Sequence, residues 1–71
     1  MIIQKRFIEC FSYVHGEKEA NKMLDELNSL KSSSSFPFVF AEDNGESWLI
    51  LGTVTREDWH RMNLESDFMR I

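Results

Sequence analysis

Few residues in this chain have both the type and the spacing for chemistry. Cys10 and His15 are its only cysteine–histidine neighbours. A nucleophilic cysteine needs a base within hydrogen-bond reach and an electropositive setting. Cys10 instead follows Glu9 in a run rich in β-branched and aromatic side chains, and reads as a buried structural thiol. His15 and His60 could meet Glu17 or Asp58 around a metal. Two distant histidines without a third paired ligand fall short of a metal-binding pattern, so both read as solvated imidazoles. No metal and no cofactor are expected.

The remaining polar clusters have simpler explanations. Glu42-Asp43-Asn44-Gly45-Glu46 has the acidic character of a calcium loop. It lacks the alternating ligands before the glycine and the closing glutamate, and reads as an acidic hairpin tip. Ser32–Ser35 lacks the glycines and the following helix of a phosphate loop, and reads as a flexible connector. The pairs Glu17/Glu19 and Glu57/Asp58 fall at two helix starts, where the helix dipole favours carboxylates. No Ser/His/Asp triad, Walker loop or Rossmann glycine set is present, and an enzyme is not expected.

Composition narrows the class further. Hydrophobic residues make up 42% and aromatics 13%, so the chain is globular rather than disordered. The net charge of −4 gives no basic surface for nucleic acid. No apolar run approaches the ~20 residues of a membrane span, and the first residues carry no signal-peptide core. One cysteine and no export signal predict a reducing, cytoplasmic setting. A 71-residue chain has little core, and chains of this size usually need a disulfide, a metal or a partner subunit. With one cysteine and no ligand cluster, self-association is the expected staple.

The elements that must position these residues follow from periodicity. Phe36-Pro-Phe-Val-Phe-Ala-Glu-Asp-Asn-Gly-Glu-Ser-Trp-Leu-Ile-Leu-Gly-Thr-Val54 reads as two strands around a type I′ Asn44-Gly45 turn. Pro37 places its strand at a sheet edge, and the apolar run Trp48–Leu51 places the other in the centre. Phe36, Phe38 and Phe40 are expected on one face of the edge strand. Residues 2–14 have helical spacing at Ile3, Phe7, Cys10, Phe11 and Val14, but their β-branched and aromatic content favours a strand. Ile3, Phe7, Phe11 and Tyr13 then point one way, and Ile2, Ile8, Cys10 and Val14 the other. A strand apolar on both sides is expected to be covered on both, or to carry a bulge. Residues 17–31 form a helix with an apolar stripe of Ala20, Met23, Leu24, Leu27 and Leu30. Residues 55–64 form a shorter helix capped by Thr55, and the tail docks through Phe68, Met69 and Ile71.

The expected fold over residues 1–71 is a single small α+β domain. Its three-stranded antiparallel sheet has order 1-3-2, in a β-α-β-β-α arrangement that amounts to a truncated ferredoxin-like unit. That topology carries no functional information. Nine aromatics exceed what one helix-covered sheet can hide, so an apolar surface is expected to face a partner. Residues Phe7, Phe11, Trp48 and Trp59 are the candidate interface, with the first strand as a free edge. Opening on Met1 with no tag, the chain reads as a complete small frame of the accessory or mobile-element kind. The expected function is a non-enzymatic interaction module: a homodimeric accessory or inhibitor protein that binds a protein partner, with no nucleic acid and no membrane. The alternative is a binder of a small metabolite or nucleotide, using Arg56, Trp59, His60 and Arg61.

Overall fold

The structure, a computed structural model, describes residues 6–71. Its elements are β1 (Phe7–His15), α1 (Glu17–Leu30), β2 (Val39–Glu42), β3 (Ser47–Thr55), α2 (Arg56–Arg61), a 3-10 turn (Leu64–Ser66) and β4 (Met69–Arg70). Residues 7–15 form a strand and not a helix; Ile2 and Ile3 lie outside the described residues.

The sheet has four strands in three antiparallel pairings, in the order β2-β3-β1-β4, rather than three strands in the order 1-3-2. The expected 1-3-2 core is present, but the tail adds a strand to the far side of β1. Cys10 pairs with Arg70 and Phe11 with Met69, and the Ile71 amide donates to the Glu9 carbonyl at 2.9 Å. The order is therefore a complete β-α-β-β-α-β, not a truncated one. β1 lies inside the sheet, and its outer edge is partly filled.

Both helices lie on one face. Alternation sends Ile8 and Cys10 of β1, with Ile50 and Val54 of β3, toward Leu27, Phe38, Trp59, Leu64 and Phe68. Within α1, Ala20 and Leu27 are buried, and Met23 and Leu24 pack at the margin of the core. Leu30, expected in the same stripe, is exposed, because the helix ends there beyond the sheet. Gly16 enters the helix at φ 90°, a backbone region that favours glycine, while its amide reaches the Glu46 carbonyl at 2.7 Å.

The hairpin forms, but its turn is not type I′. Gly45 has φ 80°, whereas Asn44 does not have the positive φ that type I′ requires. Pairing of Glu42 with Trp48 leaves a longer loop, closed by the Asp43 amide on the Ser47 carbonyl at 2.9 Å. Asn44 works through its side chain, whose Oδ1 accepts from the Ser47 amide at 3.0 Å. Packing sets the register: it puts Phe40 against Trp48, ring centroids 5.1 Å apart, on the helix side.

Pro37 also redirects the edge strand. Phe38 is buried and Phe40 half-buried on the helix side, but Phe36 is exposed and meets Phe7 at 5.4 Å. The three phenylalanines therefore do not share a face. Asn28 of α1 holds the entry to β2 in a two-point grip. Its Oδ1 accepts from the Phe38 amide at 2.7 Å, and its Nδ2 donates to the Phe38 carbonyl at 3.3 Å.

Gly52 makes room for Phe38. A Cβ at position 52 would sit 2.4 Å from Phe38 Cε2 and 3.2 Å from Cys10 Sγ. Alanine normally improves on glycine within a strand, but here the ring above it is buried against Phe68 and has nowhere to go. Gly52→Ala should therefore lower stability by ~1–3 kcal/mol, measured as a fall in the urea midpoint with unchanged slope. A neutral or stabilising outcome would show that Phe38 does not rest on Gly52.

Candidate functional site

Among the described residues, no element covers the face of the sheet away from the helices, which is bare. β1 presents Phe7, Glu9, Phe11 and Tyr13 there; β3 presents Leu49, Leu51 and Thr53; β2 presents Val39 and Ala41; β4 presents Met69. The register aligns Val39, Leu51, Phe11 and Met69 into one apolar row that crosses all four strands. Ala41, Leu49 and Tyr13 form a second row beside it. Tyr13 is 61% exposed, Val39 54% and Met69 66%. The nine-residue ladder between β1 and β3 runs without a bulge, so β1's second apolar side is neither covered nor bulged away. Among the described strand residues on this face, Glu9 is the only one with a formal charge.

The four candidate interface residues separate. Phe7 and Phe11 lie on the bare face. Trp48 lies on the helix side against Phe40, with its indole Nε1 buried and unpartnered. Trp59 is a core residue. Tyr13, Leu51, Val39 and Met69 belong to the bare face and were not singled out by sequence. The signal for Tyr13 and Leu51 was their period-two spacing with Phe11 and Leu49; no local signal placed Met69 beside Phe11.

Three of the four candidate ligand residues converge. Arg56, Trp59 and His60 line an open cleft of about 500 Å³, with Ile8, Glu65, Phe68, Met69 and Arg70. Trp59 and Phe68 show only their edges there, since both are buried. Arg61 faces the other way. Its Nε and Nη2 donate to Asp58 Oδ1 at 3.2 and 2.8 Å, and Nη2 also caps the Leu30 carbonyl at the end of α1.

Asp58 is the chain's most heavily bonded side chain among the described residues. It is buried, and Oδ2 accepts from the Ser32 amide at 2.9 Å, Ser32 Oγ at 2.7 Å and Ser35 Oγ at 2.5 Å. Ser35 Oγ in turn accepts from the Thr55 amide, while Thr55 Oγ1 accepts from the Asp58 amide. Thr55-x-x-Asp58 has capping-box spacing, and Ser35 is interposed where the carboxylate would reach back to the cap. The Ser32–Ser35 segment is thus a bonded clasp rather than a flexible connector. Asp58 is not explained by the helix dipole alone. Burial pushes its carboxyl up, but bonds from Ser35, Arg61 and Ser32 outweigh that and hold it well below the usual carboxylate range. Every oxygen is already engaged, so the cluster is structural and not an acid–base site.

Cys10 is fully buried, and its Sγ lies 3.6 Å from the Gly52 carbonyl. Burial pushes the thiol up to about 11, against a small opposing effect of that carbonyl contact. Glu9, its sequence neighbour, points to the opposite face and is not the cause. His15 and His60 are exposed, and among the described residues no three His, Cys, Asp or Glu side chains converge. Among the same residues, no helix is long and apolar enough to cross a membrane. The chain matches no protein-family model, no curated protein and no solved structure.

Two outcomes follow from these buried groups. Asp58→Asn removes the charge that five donors converge on and should cost about 2–4 kcal/mol at pH 7. A folded pKa below the unfolded value of roughly 3.9 means this stability is present above that pH and lost as pH falls through and below it. Urea unfolding from pH 7 to pH 3 should therefore show the variant and the parent converging below about pH 4; a constant gap would refute the linkage. Cys10 should react with a thiol reagent at pH 7.5 only as fast as the protein opens, because the thiol is both covered and protonated. Rapid labelling of folded protein would contradict its place under Phe38.

Proposed function

We propose that this chain is a non-enzymatic protein-interaction module, an accessory or inhibitor protein that works through its bare sheet face. The observation that carries the reading is the uninterrupted row Val39–Leu51–Phe11–Met69 with no charge in it. The chain is 28% charged, and the charges lie elsewhere. Contiguous apolar surface of this size, rimmed by polar residues, is characteristic of a contact site. Buried Cys10 and engaged Asp58 are both taken up in the fold, which supports a reading that does not call on them for chemistry.

A second reading has its own support in the cleft beside α2, where Arg56, His60 and Arg70 surround the apolar edges of Trp59 and Phe68. That combination suits a small anionic ligand with an apolar part. Native mass spectrometry separates the two, since a bound small molecule adds a fixed increment to the mass of the chain.

A photo-crosslinking amino acid at Tyr13 should form discrete protein adducts, with another copy or a different protein, in concentrated cell extract. The same group at Lys22, on the outer side of α1, should not. Equal adduct patterns from both positions, or none from Tyr13, would overturn the assignment of the face.

A further inference from the structure

We infer that the occupant of the bare face is a second copy of this chain, packed face to face into a two-layer sandwich of sheets. The inference rests on the interaction reading and specifies its partner. The edges of the sheet offer only short stretches for strand addition, which favours the face. Asn28 occupies the backbone of Phe38 where β2 begins, the hairpin end of β2 carries Glu42 and Asp43, and β4 is two residues long.

The area suffices for a pair. Tyr13, Phe36, Val39 and Met69 are each more than half exposed. With the half-buried Phe11 and Leu51 they offer on the order of 500 Å² per chain, taking ~100 Å² for each of the four exposed side chains and ~50 Å² for each of the two half-buried ones. Two copies then reach the ~1,000 Å² that separates a specific interface from incidental contact. A chain of 71 residues with no disulfide also lacks the usual staple, and a second sheet supplies the missing core layer.

The charge pattern is compatible with self-pairing. A two-fold axis in the interface over the central row can run along the strands or across them. Along the strands, between β1 and β3, it sets Phe11 on the partner's Leu51 and Glu9 on the partner's Thr53. Across the strands it sets Phe11 on the partner's Phe11 and Glu9 on the partner's Tyr13. In either arrangement the face's one carboxylate meets a hydroxyl and not another carboxylate.

Sedimentation equilibrium of the purified chain across micromolar concentrations should show a mass rising to that of two chains. Met69→Asp and Val39→Asp, both at exposed ends of the row, should keep the far-UV spectrum and a cooperative thermal transition while weakening the dimer at least ~10-fold, by burying an unpaired carboxylate. Isotope-filtered contacts from Phe11 to Leu51 or Phe11 of the other chain should appear in mixed-label samples. A single-chain mass at every concentration, with cooperative unfolding, would overturn the second copy. Protein adducts from Tyr13 in extract would then still support the interaction reading. A dimer that both variants leave unchanged would overturn the face as its contact, and the absence of Tyr13 adducts would overturn the interaction reading itself.

Discussion

The buried carboxylate of Asp58 is the constraint on which the helix side of the molecule depends. Three separate pieces of chain meet at it: the end of α1, the serine connector and the start of α2. An ionised group this deep is tolerated only when its oxygens are saturated with donors. Ser32, Ser35 and Arg61 supply five of them, from opposite sides in the fold. That saturation holds the connector in one conformation. Phe36 and Pro37 then leave it in the direction that drops Phe38 over Gly52.

The same geometry explains why one face is finished and the other is not. Both helices are tied to one side of the sheet, and Phe38, Trp59, Leu64 and Phe68 fill the space between. Among the described residues, no element remains for the second side. Yet β1 and β3 carry apolar residues at alternate positions on that side too. A strand of an antiparallel sheet facing water ordinarily alternates apolar and polar residues. The absence of polar residues from the row through Phe11 is what makes an occupant physically reasonable.

Much of the fold was legible in the residues. The 3.6-residue stripe of α1, the β-branched content of β1, the apolar run of β3 and the Thr55 cap each led to the element observed. Of the aromatics in surplus, Tyr13 and Phe36 are left exposed. What was illegible concerned partners distant in sequence. Trp48 and Phe11 look alike as large apolar residues, but they fall on opposite faces of the sheet. Met69 and Arg70 lie in a tail with no strand signal, and become a strand only because β1 offers an edge.

By itself, the sequence determined the conformations of β1, α1, β3 and α2 and the existence of an apolar excess, because both depend on neighbours within a few residues. The tertiary structure alone decided three things: that Ser32 and Ser35 clasp Asp58, that Asn44 closes its turn through a side chain, and that the excess gathers into one row. Each depends on register. A shift of one residue in strand pairing exchanges the faces of every side chain, and register is settled by which rings must share the space beneath the helices.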